Sequence, residues 1–496
     1  NGPDKMPCRQ RPAGGFVAVV TKQIEAGRAL ADIYPARFCT LCRKEDAMSK
    51  QRIQLSDHFT YSRLLRFVLP CIGTMLFTSI YGIVDGLCVS NFVGKTAFAA
   101  VNLIMPLPML LGTIGFMLGT GGSAIVGITL GEGDQKKADR YFTLFLLAAL
   151  VSVSVLAVLG IVFLRPIAVL LGAKGELLDY AVRYGRILMV SLPTFALQNM
   201  FQSFFVTAEK PHLGFWFTVG AGCTNMVLDV LMVGVWGWGV EGAAIATFIS
   251  QLVGGVLPVF YFIDRSNSSR LHLCKTSFYG KVLRDACING SSELMTNLSM
   301  SLVNILYNYQ LLRLAGENGV AAYGVIMYAA FLFVAVFVGY AVGSAPIVSF
   351  HYGARNHAEV HNLYRKSLRL IAVVAVTLTL ASMFIIPCVA RVFVGYDAEL
   401  LALTSRAFRL YALSFLIMGF NVYASSFFTA LGDGVTSALI SFLRTLAFQV
   451  IAILLLPMLL GIDGIWLAVT AAELAALAVS AAMLLTKDKV FHYRKA

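Results

Sequence analysis

An aspartate inside a long apolar run is the first group in this sequence that could do chemistry. It is Asp85, in "IYGIVDGLCVSNFVG", residues 80–94. A second is Asp229, which shares a helix face with Asn225, four residues earlier. Thr247 follows on the next apolar run. A carboxylate in a membrane span costs about 2.5–3.5 kcal/mol on insertion scales, so it must face a cavity or a partner. Two neighbouring carboxylates cannot comfortably both ionise unless a cation lies between them. At about 1.5 Å per residue, Asp85 and Asp229 lie about 9 Å inside their spans and Thr247 about 7 Å. Three helices thus bring oxygen-bearing side chains to one level, which is the chemistry of a proton or sodium site. Blander readings stay open: Asp85 as a helix-end cap, Asp229 as a structural hydrogen bonder, Thr247 bonded to its own helix.

Other polar groups inside apolar runs need partners too. Arg444 lies about 12 Å in from one side and Glu473 about 14 Å in from the other, levels close enough for a structural ion pair. Glu293 faces a central cavity or a neighbour. Thr78 and Gln202 are candidate cavity residues, or ordinary helix-packing polarity. Met75, Phe77, Phe201, Phe204 and Phe205 would make a greasy, forgiving pocket. Pro70 marks a span's beginning or a hinge in it, because proline removes a backbone hydrogen bond. Gly119, Gly121 and Gly122 in "GTGGSA" follow no strand and read as close helix packing, not as a phosphate loop. His351, His357 and His361 read as solvated loop histidines. No metal site is expected beyond sodium at the acid pair.

The elements that must position these groups are membrane helices. The chain has 496 residues, 58% hydrophobic and 13% charged, where a soluble protein has about 25% charge. Its net charge of +13 does not point to nucleic acid, since Lys and Arg sit mostly between apolar runs. Cysteines fall within those runs and imply no disulfide framework, and Cys39–Cys42 is a CxxC without a second pair. Twelve spans are predicted near residues 67–90, 98–130, 141–164, 186–208, 213–235, 242–263, 286–312, 320–350, 368–390, 408–430, 435–460 and 464–486. From Met48 onward, 21 Lys and Arg fall on the side that holds both chain ends and 9 on the other. The positive-inside bias therefore puts both ends in the cytoplasm.

The spans form two copies of six. Displaced by 222 residues, "VGKTAFAAVNLIM" meets "AGENGVAAYGVIM", Gly131 meets Gly353, and "VEGAAIA" meets "IDGIWLA". With an even number of spans per copy, the repeat is parallel, an arrangement typical of transporters with a path between the halves. The expected domains are residues 48–263 and 285–496, joined by a cytoplasmic linker, 264–284.

With the block "NMVLDVLMVGVWGWGVEGAAIATFISQ" (225–251) added, the chain resembles multidrug and toxic compound extrusion (MATE) transporters, in particular the MepA-type branch. The resemblance covers about residues 55–487. It implies an all-α integral membrane protein of two six-helix lobes around a central cavity. It also implies export of amphipathic, mostly cationic compounds in exchange for H⁺ or Na⁺, by alternating access. Asp85, Asn225, Asp229 and Thr247 match the family's coupling-cation positions, and a bending first helix is what makes Pro70 a hinge candidate. The implied location is the cell (inner) membrane. The expected partners are lipid and small cations, with no nucleic acid, no cofactor beyond the coupling ion and a monomeric chain. A flippase for lipid-linked oligosaccharides or peptidoglycan precursors is the alternative, disfavoured because pyrophosphate substrates want a cationic cavity. An intramembrane enzyme is not expected, since no HExxH motif or Ser/His constellation lies in the spans.

Residues 1–47 have no periodicity and no counterpart in the family, so Met48 is expected to be the true start. A chain begun at Met48 should insert and transport as the full chain does; loss of either in a reconstitution assay would show that residues 1–47 are needed.

Overall fold

A computed structural model describes residues 53–493 apart from 94, 395 and 396; the expectations for residues 1–47 and for Cys39–Cys42 fall outside it. Every regular element among the described residues is helical. The first half comprises α1 (Tyr61–Phe92), α2 (Lys95–Ile104), α3 (Pro106–Gly131), α4 (Gln135–Leu170), α5 (Glu176–Thr207), α6 (Pro211–Asp229), α7 (Gly239–Gly255) and α8 (Leu257–Ile263). The second comprises α9 (Gly280–Asn289), α10 (Ser291–Gly353), α11 (His357–Val394), α12 (Ala398–Ala412), α13 (Phe415–Ala430), α14 (Gly434–Phe442), α15 (Phe448–Leu460), α16 (Ile462–Thr486) and the short α17 (Asp488–Phe491).

Nine helices among the described residues are long and apolar enough to cross a membrane, and the pair α12–α13, bent by 46°, makes a tenth. The 63-residue α10 is two spans, divided at Gly316, whose φ of 61° breaks the helix. The twelfth is α5, 32 residues long; its Arg183, Arg186, Gln198, Asn199 and Gln202 keep it from looking apolar. The fold is the twelve-helix, two-copy bundle. Helices overrun the predicted spans because polar ends continue the hydrogen-bonded ladder beyond the lipid: α4 spans 135–170 where 141–164 was expected, and part of the expected linker is α9. The predicted second span is broken at Met105, where Pro106 opens a new helix. Pro70 lies inside α1 and is not its beginning.

The duplication is visible in contacts. A Cβ on Gly131 would lie 2.0 Å from the Phe350 carbonyl oxygen, and one on Gly353 would lie 2.1 Å from that of Ile128. These contacts are each other's image under the 222-residue displacement. Gly127 and Ser349, themselves 222 apart, touch each other, so a pseudo-two-fold axis passes between α3 and α10 there. The same displacement relates Gly121 on Gly290 to Gly343 on Val68. Gly239 and Gly461, φ 59° and 58°, begin equivalent spans. Small residues let backbones meet where no side chain would fit.

These contacts lie toward the end of the bundle that carries both described chain ends, here called the proximal end. Residues 53–60 cross it and bind both halves. The Leu55 N–H donates to Glu209 Oε1 at 2.9 Å, which also receives Arg270. The Phe59 N–H donates to Glu359 Oε1 at 2.9 Å, and His58 Nδ1 lies 2.6 Å from its other oxygen. Leu55 and Phe59 are fully buried. His351 is buried edge-on to Phe59, and His361 bonds the Tyr493 carbonyl. The expectation of solvated loop histidines is thus corrected: helices extend past the lipid and pack the two chain ends over these residues. No His/Cys/Asp/Glu cluster able to hold a metal is found among the described residues.

Gly131→Leu should hold the halves apart at the proximal end. Forcing a side chain into a packed contact costs about 1–3 kcal/mol. Spin-label distances between proximal ends of the two halves should lengthen; unchanged distances would show that this contact does not set closure.

Candidate ion and substrate sites

Asp229 is the last residue of α6 and is fully buried. The chain then continues as a π-helical segment, Val230–Val235. A π turn widens the helix, and such turns recur at functional sites. One turn before Asp229, Asn225 is 2% exposed. Asp85, on α1, places its carboxyl group against that of Asp229. Neither Asp229 oxygen has a hydrogen-bond donor, and the Asn225 amide nitrogen and Thr247 Oγ1 are likewise buried without partners. Two carboxylates cannot bond each other, but one proton between them can make a bond, and a cation can bridge them. Buried oxygens lacking donors are a fitting ligand set for a proton or a hard cation.

Two tyrosines that sequence reasoning missed lie in the neighbourhood of this pair. Tyr81 is one turn before Asp85, and Tyr184 of α5 is fully buried within the field of both acids. Tyr81 was findable from its i, i+4 spacing; nothing local marks Tyr184. Toward the distal end, Tyr180, Arg183, Val233, Trp238 and Glu241 line a cleft. One of its lining residues, Val233, is one turn beyond Asp229.

The expected cavity residues separate. Phe201 and Phe205 are each 1% exposed. Phe201 stacks on Phe262 at 5.5 Å and Phe205 on Phe217 at 5.3 Å. They belong to the aromatic core of the first half and do not line a cavity, because apolar rings on the inner face of α5 pack best on one another. Gln202 is half-buried and lines a small pocket with Thr74, Met75 and Val342, where α1 and α5 meet α10 of the other half. Thr78 is half-buried, with its Oγ1 unpartnered.

Arg444 lies in a second π segment, Leu443–Ala447. Its Nε is 3.8 Å from Glu473 Oε1, and Glu473 is 1% exposed. Asn421 donates to Glu473 Oε2 at 2.7 Å and accepts from Ser480 at 2.9 Å. Asn421 was missed from the sequence, although Asn199 lies 222 residues before it. Glu293 is half-buried near the start of α10. Asp85 and Asp229 are therefore brought together in one half, and Arg444 and Glu473 in the other.

A duplicated twelve-span bundle with an acid pair buried in one half has the build of a secondary transporter. The MatE family pattern matches residues 70–231 and 294–455, one match in each half, and the chain belongs to that family. The chain is 21% identical over 436 residues to the multidrug export protein MepA of Staphylococcus saprophyticus, covering 87% of this chain and 95% of that protein. It is 22% identical over 433 residues to MepA of Staphylococcus aureus strain MSSA476, with the same coverage. Among solved structures it resembles MATE in complex with MaL6, with a TM-score of 0.83, 22% identity, and 90% and 100% coverage of the two chains. It also resembles an outward-facing multidrug resistance MATE transporter of the MOP superfamily, with a TM-score of 0.82, 23% identity, and 87% and 96% coverage.

Asn421→Leu removes a donor from a buried carboxylate. The expected cost is about 1–3 kcal/mol, read as a lower melting temperature in detergent. An unchanged melting temperature would mean that water replaces the amide.

Proposed function

We propose that this chain is an antiporter that exports amphipathic, mostly cationic small molecules across the cell membrane in exchange for H⁺ or Na⁺. The observation that carries the reading is Asp85 set against a fully buried Asp229 whose oxygens have no donor. The names of the MepA relatives, multidrug export proteins, support the substrate class. The proximal end would be cytoplasmic, as the positive-inside bias favours. With that end closed by the α3–α10 contact and by residues 53–60, this form would face outward.

In this reading Asp85 and Asp229 hold the coupling ion, with Asn225 and Thr247 as neutral ligands. Emptying the site leaves two buried acids in conflict, and filling it relieves them. That difference biases one of the two arrangements of the halves. Occupancy favours the outward-facing state and helps release the exported compound. The flippase reading fits less well: the ionisable groups inside the described spans include four acids, Asp85, Asp229, Glu293 and Glu473, against Arg444, a poor setting for pyrophosphate.

Asp85→Asn and Asp229→Asn should each reduce gradient-driven dye efflux from proteoliposomes to the level of protein-free vesicles while the protein stays folded. In detergent, wild-type dye binding should weaken as pH falls or Na⁺ rises, because the ion and the dye favour opposite states. Both mutants should bind dye without that response. If they pump dye at wild-type rates, Asp85 is a helix-end polar group and Glu293 becomes the next acid to test.

A further inference from the structure

The seventh span carries a polar row that the exchange proposed above does not use. In α10 before Gly316, Glu293, Asn297, Ser301, Asn304 and Asn308 recur every three or four residues and so share one helix face. At about 1.5 Å per residue the row is about 22 Å long, most of the depth of a bilayer core. The other two faces of this span are occupied. Ser299, Val303, Tyr307 and Gln310 are buried, and the Tyr307 hydroxyl donates to the Ile465 carbonyl of α16 at 3.4 Å, so that face packs within its own half. Leu298, Leu302, Ile305 and Tyr309 are exposed and make a face for lipid. On the polar row Ser301 and Asn304 are exposed as well, and the others are half-buried. Amides and an acid turned to lipid would be costly, so the row must face the path between the halves.

Two observations turn that face toward the first half. Gly290, three residues before Glu293 and on the same side, packs on the Met117 carbonyl of α3. The 222-residue counterparts of Glu293, Asn297, Ser301 and Asn304 are Cys71, Met75, Ser79 and Gly82 of α1. Cys71 and Met75 line a pocket with Val342 of the second half, and a Cβ on Gly82 would meet nothing within 4 Å. The α1 face thus looks across at the second half, and under the pseudo-two-fold the α10 face looks back. One wall is mostly apolar and the other polar, which suits an amphipathic guest.

Hydrogen bonds within the row give the polar wall a sense. Asn297 Nδ2 donates to the Glu293 carbonyl at 2.9 Å, Ser301 Oγ to the Asn297 carbonyl at 3.3 Å, and Asn308 Nδ2 to the Asn304 carbonyl at 2.9 Å. A backbone carbonyl only accepts, so in Asn297 and Asn308 the amide nitrogen turns inward and the oxygen is left outward. No hydrogen bond among the described residues reaches either of those oxygens. Asn304 alone offers a donor, because its own oxygen takes Asn308 at 3.2 Å. With Glu293 at one end, the wall is chiefly a row of acceptors. Such a wall bonds N–H groups, whereas a quaternary nitrogen gains only the attraction of its charge.

We infer that this row is the second-half wall of the export path, and that it favours cations bearing several N–H groups, such as guanidinium and amidinium, over quaternary ammonium ions of similar size. The inference rests on the antiport reading for the export of cations and on the row itself for the selectivity.

The test is equilibrium binding, read by naphthyl fluorescence, of naphthylmethylguanidinium and naphthylmethyltrimethylammonium to the purified full chain in detergent. The probes share ring and charge and differ in N–H donors. The guanidinium should bind about tenfold tighter, the worth of about one charge-assisted hydrogen bond. Asn297→Leu/Asn308→Leu should remove most of that ratio by weakening the guanidinium probe far more than the other, where a merely structural role would weaken both alike. Equal binding of the two probes by the wild-type chain overturns the inference, as does a double variant that keeps the wild-type ratio. If the double variant does not fold, Asn297→Leu and Asn308→Leu made singly should each lose part of the ratio, and an unchanged ratio in both overturns it. Binding of neither probe would fell the antiport reading together with this inference, whereas equal binding of both leaves that reading standing.

Discussion

Two carboxyl groups that meet inside a membrane bundle cannot keep the same charge at no cost. Each acid within a span costs about 2.5–3.5 kcal/mol. Moving a two-state equilibrium from about 1:99 to 99:1 takes about 5.5 kcal/mol of differential binding. Two buried acids carry a cost of that order, so in the exchange proposed above relieving it with a proton or a cation would be enough to bias the whole molecule. Weaker burial would leave too little energy to do so. The full burial of Asp229, and the oxygens left without donors, are therefore the features on which the proposed coupling would rest.

In the proposed exchange that energy would have to reach the far end of the bundle. Side chains at the interface between halves would deform and absorb it. Here the halves meet backbone to backbone, Gly131 on Phe350 and Gly353 on Ile128. Packed backbones have few intermediate arrangements, so the halves would change contact as bodies. The axis through Gly127 and Ser349 fixes how they can turn. Residues 53–60 add a second tie, because Glu209 belongs to one half and Glu359 to the other.

Where a physical signal was local, the sequence could be read. Apolar run length gave the spans, and a constant displacement gave the duplication and the equivalence of Gly131 and Gly353. Asp85 and Asp229 stood out because an acid in a span is costly wherever it sits. What failed depended on orientation. Phe201 and Phe205 look the same in sequence whether they face a cavity or the interior of one half. The histidines near residue 351 looked like loop residues because nothing in their neighbourhood announces that residues 53–60 and Tyr493 return to cover them. Tyr184 is brought to the acids by α5, whose polar content hides it even as a span. The π segments had no signature in the apolar pattern at all.

Duplication makes the asymmetry of the halves meaningful. The counterparts of Asp85, Asn225, Asp229 and Thr247 are Tyr307, Ala447, Ile451 and Val469. Tyr307 is 2% exposed and stacks on Tyr323 at 4.9 Å, so that level of the second half is filled with packing. The polar cost in the second half is carried elsewhere in it, by Arg444 and Glu473. A bundle with two identical acid sites would pay the burial cost twice and could be half-occupied, with each half favouring a different state. In the proposed exchange, holding the acid pair in one half, with Glu473 already paired to Arg444 in the other, would leave a single occupancy to decide which way the halves turn.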